Sequence, residues 1–376
     1  MKWGAQSMMN NRLYQSSRKW YHNIHLDWPL TIGILLVSLL GLMILYSAKP
    51  EIAVVERQIL RLVFASSIMV CIAQVTPRIF KAIAPWLYGF ALTLLVFVLL
   101  IGHIGKGGQR WLDLAFIRFQ PAELMKIAVP LLLAKYLDNR LLPPRLNTLI
   151  FPFLLIIIPA ILIAKQPDLG TALLIVSSGC LVIFFAGLSW RFIISIMALI
   201  TLCLPLSWFL LREYQRKRVL VLLDLAKDPL GAGYQIIQSK IAIGSGGFYG
   251  KGWLNGTQSH LEFLPEKTTD FIFAVFSEEF GLVGSLILLM LYGFIIFRGL
   301  YISTRAQDTF SRLLAGSLIM TFFVYAFVNI SMVIGILPVV GIPLPLVSYG
   351  GTSLVTLMAS FGILMSVHTH RNLLSK

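Results

Sequence analysis

The sequence predicts an all-α polytopic integral membrane protein of about ten transmembrane helices. Three observations predict it. Of 376 residues, 57% are hydrophobic and 12% charged, with mean hydropathy +0.83, where a soluble domain carries about 25% charged residues. The apolar residues gather into runs near the length of about 20 residues that a helix needs to cross roughly 30 Å of hydrocarbon. Charged residues stand mainly between the runs, at their ends.

The expected spans are, in order, 28–47, 59–75, 83–101, 121–137, 149–164, 169–187, 192–211, 271–297, 313–337 and 344–367. Most connections are short, so successive helices run antiparallel. The exception is one long extracytoplasmic loop, 212–270, between spans 7 and 8. The organisation is thus a tail (1–27), a membrane domain (28–367) and a second tail (368–376). The first apolar run follows a basic start, as in a signal peptide. Its length and lack of a small-x-small cleavage pattern read as a retained anchor. Cys71, Cys180 and Cys203 fall within spans, so neither a disulfide framework nor a metal-ligand spacing is expected.

A net charge of +15 would suggest nucleic acid in a soluble protein, but here the basic residues orient the spans. With the N-terminus in the cytoplasm, fifteen Lys and Arg lie inside and eight on the short outer connections, the asymmetry that sets topology. Both termini are expected in the cytoplasm.

Ionisable groups within a bilayer are costly, about 2.5–3.5 kcal/mol each at a helix centre on insertion scales, and three clusters need a reason. In GKGGQRWLDLAFIRFQPAELMK (105–126), Lys106, Arg110 and Arg118 stand outside, against the topological preference, and call for an anion. Pro121 suits the first turn of span 4, which places Glu123 and Lys126 on one helix face. They either neutralise each other for insertion or form a charged cavity wall, Lys126 facing a ligand anion and Glu123 holding it. In KQPDLGT (165–171), Asp168 is the expected N-cap of span 6, with pairing to an arginine or a metal ion as the added alternative. The third cluster is the outer loop, whose start REYQRKR offers Arg212, Arg216, Lys217 and Arg218 to a diphosphate or the anionic bilayer surface.

Further along, IGSGGFYGKGW (243–253) superficially resembles a phosphate-binding P-loop. It lacks the required glycine at Ser245 and the hydroxyl residue at Gly252. A tight turn or re-entrant element is expected, with Lys251 available to an anion. LEFLPEKTTDFIFAVFSEE (261–279) delivers Asp270 to the mouth of span 8. There it caps the helix, accepts a proton from an attacking hydroxyl, or does both. The last span opens GIPLPLVSYGGTS (341–353), irregular backbone tolerated at membrane depth only when buried in protein or lining a wet cavity. Asn329 and Ser331 either line that cavity or bond across helices.

Together GKGGQRWLDL with RFQPAELMK, QPDLGTALL, DPLGAGYQIIQSKIAIGSGG, LEFLPEKTTDFIFAV with SEEFG, and GILPVVGIPLPLVSYGGTS resemble, in order, the SEDS family of shape, elongation, division and sporulation proteins. The ending VVGIPLPLVSYGGTS is more similar to the RodA-like branch than to the FtsW branch. LLDLAKDPLG (222–231) departs from the pattern after Asp224 and leaves the local loop shape open.

The resemblance implies a peptidoglycan glycosyltransferase that polymerises lipid II, an undecaprenyl-diphosphate disaccharide-pentapeptide, at the outer face of the bacterial cytoplasmic membrane during elongation. It implies Asp270 as base and Arg118, Lys126, Arg216 and Arg218 at diphosphates. Glu123 would orient the cations and Asp168 would line the cavity. No tightly bound cofactor is implied; a divalent cation, Mg2+ or Mn2+, at the lipid diphosphate stays open, as does any metal site. Implied partners are lipid II, the growing undecaprenyl-linked glycan, membrane lipids, a class B penicillin-binding protein and the elongation machinery, with no nucleic acid. The rival readings are a lipid II flippase or transporter, an FtsW-like septal polymerase, and a non-enzymatic scaffold.

Overall fold

A computed structural model of the chain describes residues 25–105, 108–114, 117–188, 231–260 and 266–370, with isolated residues between 189 and 264. Nine of the ten expected spans are helices among the described residues: α1 (Trp28–Ala48), α2 (Ile52–Ala73), α3 (Pro77–Ile101), α4 (Pro121–Asp138), α5 (Leu146–Lys165), α6 (Leu169–Phe185), α9 (Ile272–Thr304), α10 (Thr309–Ile334) and α11 (Thr352–Thr369). The expected span 192–211 lies almost wholly outside the described residues, as do both tails apart from 25–27 and 368–370. Two further helices, α7 (Ala232–Gly246) and α8 (Thr257–His260), belong to the long loop.

The expected helical membrane fold holds, with two details added. Between α3 and α4 the chain forms a small antiparallel sheet in the order β1 (His103–Gly105), β2 (Gly108–Leu114), β3 (Ile117–Phe119). In its backbone register the segment pairs Ile104 with Gln109 and Asp113 with Arg118. The last helix also starts later than expected, at Thr352 rather than 344. Pro343 and Pro345 cannot donate to a helical ladder, and residues 337–351 run as irregular, mostly buried or half-buried chain.

Short connections make the bundle antiparallel, with α2 against α11, α4 against α3 and α6, and α10 between α6 and α9. At one end, Asp27 accepts from the Leu30 amide at 2.9 Å, capping α1. Arg298 of α9 grips the same carboxylate at 3.0 and 2.7 Å, and His368 Nδ1 of α11 lies 2.8 Å from it, off the line of an aligned hydrogen bond. Three helix ends are joined there by one ion cluster.

At the opposite end α9 breaks. Gly281 adopts φ 65°, ψ −158° inside it, a left-handed conformation that glycine takes at little cost. A break strands amides and carbonyls that need partners, and the glycine-rich loop supplies them. Leu282 N donates to Gly247 O, Val283 N to Phe248 O, and the amides of Lys251 and Gly252 donate to Glu278 O and Glu279 O. The approach is so close that a β-carbon on Gly250 would fall 2.0 Å from Glu279 O. The segment 243–253 is therefore a docking turn for a broken helix, as its composition suggested.

Candidate active site

The break leaves 272–280 as a half-helix with Asp270 just before it. The N-cap position is Phe271, with no side-chain cap of its own, and Asp270 stands one residue ahead of it. Its half-buried carboxylate faces Gly341, Oδ2 lying 3.6 Å from where a β-carbon would stand. The backbone is tied on several sides. Asn329 Nδ2 donates to Asp270 O at 2.9 Å, Ser348 Oγ to Thr269 O, and Tyr349 N to Thr268 O at 2.9 Å.

A cavity of about 610 Å³, counting space open at its mouth, lies against this segment. Its walls are one face of α10 (Leu318, Thr321, Phe322, Tyr325), one face of α11 (Ser353, Thr356, Ser360), the irregular 343–348 and, from α4, Lys126. The lining is mainly apolar with hydroxyls at intervals, which suits a ligand with both hydrocarbon and polar parts. Asp270 does not line it directly; Ser348, which does, bonds the adjacent Thr269.

Lys126 is the cavity's cation, 7% exposed. Its ammonium donates to Glu123 Oε1 at 2.7 Å and to the Tyr325 hydroxyl. Glu123, 4% exposed, takes Thr356 Oγ1 on its other oxygen at 2.8 Å. The two side chains thus pair with each other, and of the two only Lys126 lines the cavity. An ammonium has three donors, and two are engaged among the described residues. Tyr325 and Thr356 were missed by sequence reasoning, although Thr321, Tyr325 and Asn329 recur every fourth residue as a polar stripe on an apolar span.

Asp168 is the N-cap of α6, accepting from Thr171 N at 3.2 Å and Thr171 Oγ1 at 3.0 Å. It also takes Gln120 Nε2 at 2.9 Å, with Arg110 Nη1 3.8 Å away. Of the partners foreseen, arginine is therefore present; Arg110 further donates to the carbonyls of Gln166 and Pro167. Asp168 is not among the residues lining the cavity.

Lys251 departs from its expected role. Its ammonium lies 2.7 Å from Glu278 Oε1, which also accepts from Thr257 N, Thr257 Oγ1 and Gln258 N at 2.9–3.1 Å. Glu278 is fully buried, and a buried carboxylate requires a partner, so Lys251 serves the broken helix. Arg118 stands in β3 opposite Asp113, its side chain outside the described residues. Arg216 is half-buried and has a polar or charged partner; Arg218 lies outside the described residues. Among the described residues no three His, Cys, Asp or Glu side chains gather as a metal-binding set.

Comparison with known proteins places this geometry. The family model described as "Cell cycle protein", covering FtsW, RodA and SpoVE, matches residues 25–373. The chain is 53% identical to the peptidoglycan glycosyltransferase MrdB of Escherichia coli K12, over 96% of this chain and 98% of that one. It is 39% identical to MrdB of Helicobacter pylori, over 78% of each. Among solved structures, a chain from a study of how a peptidoglycan synthase complex coordinates polymerization and crosslinking superposes with TM-score 0.80 at 35% identity, covering 91% of this chain and 97% of that one. The rod shape determining protein RodA of Thermus thermophilus gives 0.70 at 28% identity, over 92% and 98%. The chain belongs to the FtsW/RodA/SpoVE family of cell-cycle proteins.

Proposed function

We propose that this chain is a peptidoglycan glycosyltransferase that polymerises lipid II at the extracytoplasmic face of the bacterial cytoplasmic membrane, in the elongation that maintains rod shape. The observation that carries the mechanism is the buried cation of Lys126 facing a largely apolar cavity and bonded to Tyr325, one turn of α10 before Asn329, which holds the Asp270 backbone. A lipid diphosphate needs both surfaces at once.

In the reaction, an acceptor sugar hydroxyl gives its proton to Asp270 while its oxygen attacks the anomeric carbon of the donor. The bond to the diphosphate breaks with inversion, and the diphosphate departs on its lipid. Lys126 and Arg118 meet the charge that develops there, the kind of stabilisation that counts most in a site shielded from water. Glu123 holds Lys126 in place, Asp168 braces the neighbouring wall through Gln120, and Arg216 and Arg218 approach the second diphosphate from the loop. Lys251 is left out of this set. A divalent cation, if recruited, would ride mainly on the substrate's own phosphate oxygens, since Asp168 and Glu123 already accept hydrogen bonds from the protein. The polyprenyl tails stay in lipid, so substrate enters between helices. A class B penicillin-binding protein supplies crosslinking.

Purified protein in vesicles with labelled lipid II, with and without that partner, separates the readings. Glycan polymer is the expected product. Movement of lipid II across the bilayer without polymer would favour a flippase; neither would favour a scaffold.

A further inference from the structure

Asn329 is fully buried near the end of α10, and its environment is unusual for an amide. Nδ2 donates to two backbone carbonyls, Asp270 O at 2.9 Å and Ile342 O at 2.6 Å. Oδ1 has no hydrogen-bond partner among the described residues. The reverse orientation would turn Oδ1 against both carbonyl oxygens, so the hydrogen-bond network dictates this one. A buried acceptor left without a donor is uncommon and asks for an explanation. Here the amide is oriented wholly by what it donates to.

Its two acceptors belong to segments outside regular helix. Asp270 lies in the turn before the half-helix of α9, and Ile342 follows Gly341, whose φ is +76°. Gly341 is also the residue that the Asp270 carboxylate faces. One side chain therefore holds the floor and the wall of the carboxylate's position together. It does so from a rigid helix whose preceding turn presents Tyr325 to Lys126.

We propose that Asn329 is a positioning residue for the glycosyl transfer: it fixes Asp270 relative to Gly341 and to the Lys126 end of the cavity without itself touching substrate. The inference rests on the assignment of Asp270 as base. A carboxylate displaced by about 1 Å can cost about 100-fold in turnover. The loss should fall on kcat, since the cavity lining that meets the lipid is untouched.

The test uses the full chain in vesicles with labelled lipid II, comparing Asn329→Leu, which keeps approximate volume and removes both donors, with Asn329→Asp. The expected result for Asn329→Leu is a fall in kcat of about 100-fold with KM unchanged. Backbone amide exchange should quicken in 266–272 and 339–344. Asn329→Asp should recover part of kcat as pH is lowered, because a neutral carboxylic acid has one O–H to donate and the ionised form none. Two results would overturn the proposal: unchanged kcat, or a loss confined to KM. A fall in activity matched by loss of folded protein for both variants would do so as well, by making Asn329 structural only. Asp270→Asn run in parallel keeps the two ideas apart. If that variant polymerises normally the base assignment fails; if it is inactive while Asn329→Leu is normal, only the positioning role fails.

Discussion

Two buried charge clusters at opposite ends of this bundle make a useful pair. At one end Asp27, 2% exposed, is held by Arg298, His368 and the Leu30 amide. At the other Lys126, 7% exposed, is held by Glu123 and Tyr325. Burial and pairing are alike, yet the surroundings differ. Burial alone would raise the Asp27 pKa, but the close His368 ring and the hydrogen bonds from Arg298 and the Leu30 amide outweigh it and hold the carboxyl well below the usual range. Every group there points inward at another. Lys126 instead borders an open cavity and retains a donor to offer. A buried charge shows only that a partner is needed; a cavity beside it is what distinguishes Lys126 from Asp27.

The largest expected effect on that contrast is at the carboxylate beside the cavity. Asp270→Asn should insert normally and lose about 10²–10⁴-fold in polymer formed from lipid II, the range for removing a general base. Near-normal polymer would take Asp270 out of the chemistry. Lys126→Met should lower turnover by about 100-fold while protein level in the membrane is kept. If accumulation fell as far as activity, the two clusters would be of one kind.

Asp27→Asn should do the reverse. The side chain still caps α1, but the charge-assisted bonds from Arg298 are lost, so thermal unfolding in detergent should show about 2 kcal/mol less stability with unchanged turnover per folded molecule. The pH sign follows from the depressed pKa. The Asp27 contribution is complete above the unfolded value of about 3.9 and is lost only as pH falls toward the folded one. Unfolding temperature should therefore owe no change to Asp27 between pH 5 and 8. The smallest effect on turnover is expected for Lys251→Met, which leaves the buried Glu278 without its cation and should cost about 3–5 kcal/mol of stability. Its KM for lipid II should not move; a clear rise would return Lys251 to the anion-binding set.

Much of this was legible in the residues. Apolar run length placed nine helices, and the Glu123–Lys126 spacing on one helix placed an ion pair. The Asp168 cap followed from a short polar residue ahead of an apolar run, and the glycines of 243–253 announced a turn where backbones meet. The sheet was missed because its strands are only three to seven residues long and GQRWLDL follows a glycine-rich turn with no clear alternation of polar and apolar residues. The pairing of Lys251 was not foreseen because Glu278 lies 27 residues on, within a helix that no local signal showed to be broken. Tyr325 was hidden for another reason: an aromatic residue in an apolar span is ordinary until a neighbouring helix brings an ammonium to its hydroxyl.

By itself, then, the chain's order of residues determined that it spans a membrane many times and which polar groups had to be accommodated there. Hydrophobic length and helical period are local properties. Which of those groups share a cavity, and which merely neutralise one another, was decided only by tertiary packing. Lys126 meets Tyr325 across 199 residues and Asp27 meets Arg298 across 271. Contacts at such separation depend on how whole helices lie against each other, and no window of sequence contains both partners.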